Sequence, residues 1–314
     1  KICGWNSIVK KEYSVLMSVY QKENPEYFRA ALSSIFHQTV LPTEIVLVCD
    51  GPLTAALDVV ILEYVNCCSK DIPRSTRTDM DDRVTPDGKL DMPRTVFRVV
   101  RLTENQGLGK ALNEGLGHCS CEWIARMDTD DLAAPDRCEK QLRYLESHPD
   151  VDALSGTIAE FQGDALNVQV AEKAVTSYKT VPQTPEEISG YIKQRNPINH
   201  PCVMFKKSSV ELSGGYQPCP YFEDYDLWVR MYRDHAVLAN LSDTLLYMRV
   251  NGMHQRRGGI EYAKAIISFR NRMYRYGFLN LAEYLPMTAV RVLISLMPNF
   301  MRKYLYDKKL RKHM

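Results

Sequence analysis

Within its first 150 residues the chain alternates between short apolar runs and stretches of helical spacing, and this alternation restricts the fold more than any other feature. The runs at 13–20, 45–49, 95–102 and 123–127 read as strands. Between and after them, 25–38, 53–65, 108–116 and 136–148 read as helices; in the first, Phe28, Leu32, Ile35 and Phe36 share one face. Ile45-Val46-Leu47-Val48-Cys49 is nearly continuous in apolar residues, which is the pattern of a strand covered on both sides. Strands alternating with helices predict an α/β fold, a mostly parallel central sheet wound with helices on both faces.

The fourth run ends abruptly. Trp123-Ile124-Ala125-Arg126-Met127 passes into Asp128-Thr129-Asp130-Asp131, three carboxylates within four positions. The carboxyl ends of strands are where open α/β sheets bind ligands. Like charges this close repel and are costly to desolvate, so they need water or a cation. Hard divalent ions such as Mg²⁺ or Mn²⁺ take one or two carboxylates together with substrate phosphate oxygens. Read alone, the cluster also suits a loop that caps the next helix.

The second half is less regular. Residues 151–193 show no clear period. Asn196-Pro197-Ile198-Asn199-His200-Pro201 leads into a strand at 202–206. In 221–231 a helical pattern carries Glu223, Asp224 and Asp226 in its first turn, where the helix dipole favours carboxylates. A strand near 245–250 precedes a glycine-flanked loop with His254, Arg256 and Arg257, a composition suited to meeting phosphate. After Pro286, the apolar positions Met287, Val290, Leu293, Ile294 and Met297 lead to a tail bearing Arg302, Lys303, Lys308, Lys309, Arg311 and Lys312. Such a basic amphipathic segment fits an anionic membrane surface and equally a helix packed on the main domain.

Composition excludes several classes. Forty basic against 38 acidic residues, a net +2, gives no electrostatic basis for nucleic-acid binding. There is no run of about 18 uninterrupted apolar residues, as a membrane-crossing helix requires. Nine cysteines without regular spacing read as free thiols of a reducing, cytoplasmic compartment. His118-Cys119-Ser120-Cys121 has no matching second pair to complete a zinc site. The polar stretch 68–94 has no period and carries balanced charges, the signature of a solvated excursion.

Five ordered motifs, Ser14-Val15-Leu16-Met17-Ser18-Val19-Tyr20, Cys49-Asp50-Gly51-Pro52, Asn105-Gln106-Gly107-Leu108-Gly109-Lys110-Ala111-Leu112-Asn113, Asp128-Thr129-Asp130-Asp131 and Glu223-Asp224-Tyr225-Asp226-Leu227-Trp228, together resemble the family 2 glycosyltransferases of the GT-A fold. The likeness is to bacterial enzymes that build O-antigen, capsule or exopolysaccharide units, and it runs from about 13 to 259.

The resemblance implies an inverting transfer of a sugar from a nucleoside diphosphate, a UDP-sugar being favoured, to a hydroxyl of a lipid-linked saccharide. It implies Asp224 as general base with Glu223 as the adjacent alternative. Tyr20, Asp50, Lys110, Asp128, Arg256 and Arg257 would bind the nucleotide-sugar, and Asp130, Asp128 and His254 a Mn²⁺ or Mg²⁺ ion. Asn199 and His200 would border the acceptor. The implied organisation is a catalytic domain over 1–259, with a nucleotide half (13–150) and an acceptor half (151–259), followed by a basic helical appendage (260–314). The enzyme would work on the cytoplasmic face of the membrane, peripherally attached. Two other readings remain open: a sugar-nucleotide-binding protein without turnover, and a nucleotidyltransferase. Against the latter, 13–24 lacks the glycine-rich, Lys-containing stretch such an enzyme needs near its first strand.

Overall fold

The computed structural model describes residues 12–68, 95–251, 258–298 and 301. The alternation of the first half becomes β1 (Tyr13–Val19), α1 (Pro25–Phe36), β2 (Glu44–Cys49), α2 (Ala55–Cys68), β3 (Val96–Arg101), α3 (Leu108–His118), β4 (Trp123–Met127), a two-residue β5 (Leu132–Ala133) and α4 (Arg137–Ser147). The first helix begins where local chemistry starts it. At α1 the Asn24 side chain accepts from the Glu26 and Tyr27 amides, and Pro25 supplies a preset φ at the first position.

β3, β2, β1 and β4 are neighbours in that order and all parallel, with Val19 opposite Cys49 and Met17 opposite Met127. Their carboxyl ends therefore lie along one edge, which aligns Tyr20, Asp50 and Asp128. Alternate residues point to opposite faces. Tyr13, Val15 and Met17 join a core with Phe28, Leu32, Leu57 and Leu142 from α1, α2 and α4. Leu16, Val46 and Ile124 join a second core on the other side with Leu112 and Trp228. The sheet is thus covered on both faces.

Wholly parallel pairing stops at β4. The second half contains β6 (Val151–Phe161), α5 (Val168–Lys173), β7 (Val175–Lys179), α6 (Pro185–Tyr191), a 3-10 turn (His200–Cys202), β8 (Met204–Lys206), α7 (Lys207–Leu212), α8 (Glu223–Arg233) and β9 (Val237–Arg249). β8 runs antiparallel to both β4 and β6, β9 parallel to β6, β5 antiparallel to β9 and β7 antiparallel to β6, so the sheet as a whole is mixed.

Two expectations need correction. Residues 151–161 form one long central strand, not an irregular segment, and β9 begins eight residues before the strand expected at 245. Polar residues hid both. Asp152, Ser155 and Glu160 are satisfied by Lys206, Asn199 and Ser177, and Asn240 donates to the Pro182 and Pro197 carbonyls. The expected strand at 202–206 is shortened because the 3-10 turn His200–Cys202, with Pro201 in its middle, takes up its first residue.

Beyond 259, α9 (Ile260–Arg275) and α10 (Leu281–Leu296) form a hairpin. α9 buries Tyr262, Ile266 and Phe269, and Phe269 stacks on Phe222 at 4.8 Å between ring centres. The basic tail from Arg302 onward lies outside the described residues.

Candidate active site

Arg126 carries the site's first surprise. A charged residue in a fully buried strand must find a partner, and Arg126 donates from Nη1 to Asp128 Oδ2 at 2.7 Å and from Nη2 to Asp128 Oδ1. Burial works against its charge, and the Asp128 carboxylate more than offsets this, holding the guanidinium above its ordinary range. The signal was present in the sequence: a lone arginine two residues before an acid, inside an apolar run.

Asp130 is in a different state. Burial, with the Asp128 and Glu23 carboxylates nearby, pushes its carboxyl up to about 7. Asp131 is fully buried and raised well above the ordinary carboxyl range by burial and by Asp130, while its Oδ1 accepts the Arg249 amide at 3.0 Å. Arg249 fastens the loop further, donating from Nε to the Asp130 carbonyl and from Nη2 to the Ala165 carbonyl, and its guanidinium stacks on Tyr27 at 3.7 Å from the ring centre. Glu23 accepts from Thr129 Oγ1 at 2.8 Å. Asp130 is thus a hard oxygen donor in a negative field that a cation would relieve, and Asp128 is the second carboxylate beside it. Among the described residues no three potential ligands are clustered as a complete metal cage, and His254, Arg256 and Arg257 lie outside them. The donor set fits an ion that takes few protein ligands and completes its shell with phosphate oxygens and water.

Asp50 sits at the same edge, but both its oxygens accept backbone amides, Gln106 at 2.7 Å and Gly107 at 3.0 Å. It shapes the turn that starts α3. Gly51, next to Asp50 at the end of β2, has φ +85°, and a Cβ there would lie 2.6 Å from the Asn105 nitrogen of that turn. Tyr20 follows β1 and Lys110 lies in the first turn of α3; both are exposed.

α3 connects the two halves. Asn113 brackets Tyr216, donating to its carbonyl and accepting its amide at 2.5 and 2.7 Å, and the first turn of α3 packs on Glu223 and Tyr216 at Gly109. At the start of α8, Asp224 Oδ2 accepts from Asn196 Nδ2 at 2.7 Å, a contact between residues 28 positions apart that no local pattern announces. Burial, with Asp224 next to it, raises the Glu223 carboxyl. Asp226 points inward to Arg230 and is fully buried, so it serves packing.

The Tyr216 phenol lies where the halves meet. Burial pushes it up, Arg126 pulls it down, and Asp224 and Asp128 both push it up. His200 Nε2 is 2.8 Å from that hydroxyl, and burial, with Arg126 and Lys179, keeps the imidazole well below its ordinary pKa. Asn199 is fully buried and donates to the Gly156 and Lys179 carbonyls, so it joins β6 to β7.

Residues 80–211 match the family model described as glycosyl transferase family 2. The chain is 34% identical over 300 residues to the amylovoran biosynthesis glycosyltransferase AmsE of Erwinia amylovora, covering 94% of this chain and 98% of that one. The chain is a family 2 glycosyltransferase. It is also 31% identical over 305 residues, 96% of this chain and 97% of the other, to an Escherichia coli enzyme named UDP-Gal:alpha-D-GlcNAc-diphosphoundecaprenol beta-1,3-galactosyltransferase. Among solved structures, the mannosyltransferase PcManGT from Pyrobaculum calidifontis, in complex with GDP-Man and Mn²⁺, superposes with a TM-score of 0.57 over 96% of this glycosyltransferase and 81% of the other chain at 17% identity. That likeness concerns the fold, GT-A with C-terminal helices.

Proposed function

We propose that this glycosyltransferase moves a hexose from a UDP-sugar, with inversion, to a hydroxyl of a lipid-linked saccharide in the assembly of a bacterial surface polysaccharide. The observation that carries the reading is the pairing of Asp128 with Arg126 at the carboxyl end of β4, beside the raised Asp130, together with Asp224 held by Asn196 at the start of α8, whose Glu223 lies against Gly109 of α3. The galactosyltransferase relative, named for a UDP-sugar and a diphosphoundecaprenol-linked acceptor, supports the donor and acceptor classes.

In this reading Tyr20, Lys110 and the turn held by Asp50 form the nucleotide side, with Arg256 and Arg257 on the phosphates. Asp130 and Asp128, with His254, would hold Mn²⁺ or Mg²⁺; when bound, the ion offsets the charge that develops on the leaving diphosphate. Asp224 is the general base. It takes the proton of the acceptor hydroxyl as that oxygen attacks the anomeric carbon from the face opposite the diphosphate, whose C–O bond breaks with the electron pair leaving on oxygen. Asn196, hydrogen-bonded to Asp224 Oδ2, orients the carboxylate, and Glu223 lines the same turn. His200 and Tyr216 form the floor between donor and acceptor. The lipid on the acceptor would bring the work to the inner face of the cell membrane.

A panel of nucleotide-sugars, each with Mn²⁺, tests the reading by thermal shift, since a ligand that binds only the folded chain raises its melting point. A UDP-sugar should give the largest shift, and should be consumed only when a lipid-linked saccharide is added. No shift with any UDP-sugar, or turnover without diphosphate release, would overturn it.

A further inference from the structure

α10 is apolar on two faces. Toward the body of the protein it packs Tyr284 and Val292 and buries Thr288 and Ser295, whereas Leu281, Leu285, Val290, Leu293 and Leu296 are between 51 and 62% exposed. Leu281, Leu285, Ala289 and Leu293 recur every fourth residue, so they form one outward stripe. A contiguous apolar face of this kind on a water-facing helix marks an interaction surface.

The helix is firmly attached. Asn280 and Glu283 form a capping box at its start, Glu283 pairs with Lys193 at 2.8 Å, Arg291 Nη2 donates to the Gln194 carbonyl at 2.5 Å, and the Gly259 amide donates to the Ser295 carbonyl at 3.0 Å. Residues 193 and 194 run directly into Asn196, the partner of Asp224. The exposed stripe therefore belongs to a helix braced against the acceptor side of the candidate site. No helix among the described residues is long and apolar enough to cross a membrane.

Charge decides between occupants. Residues 302–314, which follow this face, carry six basic side chains against one acid, Asp307. Two copies pairing through α10 about a two-fold axis would bring two such stretches together, whereas an anionic lipid surface would attract them. We propose that the outward face of α10 beds into the interfacial layer of an anionic phospholipid bilayer and holds the acceptor side of the site at the membrane plane. The use of this docking rests on the lipid-linked acceptor reading; the docking itself does not.

Sedimentation of the full chain with phosphatidylcholine vesicles, with and without phosphatidylglycerol, tests it without nucleotide or acceptor. The chain should bind the anionic vesicles, and Leu285→Glu with Leu293→Glu should lower the bound fraction about tenfold or more while the melting point and its shift by UDP and Mn²⁺ stay unchanged. As a second measurement, a Leu293→Trp reporter should be quenched by bilayers with brominated acyl chains. Failure of the parent chain to bind anionic vesicles, undiminished binding of the double variant, an unquenched reporter, or a stable dimer that the glutamates split in place of vesicle binding would each overturn the proposal. Loss of sugar transfer alone would count against the functional reading and leave this result intact.

Discussion

Arg126 and Asp128, two residues apart, face each other across the end of a buried strand as a two-pronged ion pair in which the arginine is buried and the aspartate is about one-third exposed. The pair stabilises the acid loop in a defined direction. Removing the arginine leaves Asp128 without its donors and opens a space in the strand. Arg126→Met should lower the free energy of unfolding by about 1–3 kcal/mol in a denaturant titration. Arg126→Lys, which keeps the charge but loses the fork, should still weaken UDP binding several-fold by calorimetry.

Asp224→Asn should leave UDP-sugar affinity within about twofold and reduce kcat by roughly 10²–10⁴, the usual contribution of a general base. Asn196→Ala removes only the orienting hydrogen bond and should cost roughly tenfold in kcat with little change in donor KM, a charged-group hydrogen bond contributing about 1.5–3 kcal/mol. Steady-state kinetics on both variants checks this; full activity of Asp224→Asn would remove it from the role.

Asp130, the proposed metal ligand, also bears on stability. Its carboxyl, pushed up to about 7 by burial and by Asp128 and Glu23, binds a proton more tightly in the folded chain than in the unfolded one, where the ordinary value is 3.8. The contribution of Asp130 to the stability of the metal-free protein therefore falls as pH rises from about 4 to about 7. Asp130→Asn should raise the free energy of unfolding of the chelated protein by an amount that grows over that window and levels off above it at up to about 4 kcal/mol. The same substitution should abolish the Mn²⁺-dependent part of UDP binding. Equal UDP affinity of wild type and variant with Mn²⁺ present would exclude Asp130 as a ligand.

His200 has the opposite sign. Its folded-state pKa lies well below the ordinary 6.5 because of burial and the nearby Arg126 and Lys179, so below pH 6.5 the unfolded chain takes up a proton that the folded chain refuses. This term destabilises the fold by about 1.4 kcal/mol for each pH unit below about 6.5, until the folded-state pKa is reached. Since Asp130 acts oppositely in the same range, the difference between wild type and His200→Gln isolates it. The variant's relative stability should improve steadily as pH falls from 6.5 to 5.

Gly51→Ala should destabilise the chain by about 2 kcal/mol or more, because φ +85° disfavours any side chain and the new Cβ would strike the backbone at Asn105. The same collision would move the turn that Asp50 holds, so donor binding should weaken in parallel with stability. Circular dichroism melts and calorimetry report the two effects separately.

Sequence by itself determined β1 to β4 and α1 to α4, because parallel strands inside a sheet are apolar almost throughout and their helices must show a 3.6-residue period. It also determined which motifs lie at the strand ends, and the resemblance they carry. Only the tertiary structure decided that 151–161 is a central strand, since Asp152, Ser155 and Glu160 break the apolar pattern and become tolerable only beside Lys206, Asn199 and Ser177. It likewise decided that Asp50 is engaged by backbone amides, that Arg126 holds Asp128, that Asn196 holds Asp224, and that the leucines of α10 face outward. In each case the deciding partner is brought in by folding, or the face covered by a neighbouring helix, and sequence spacing records neither.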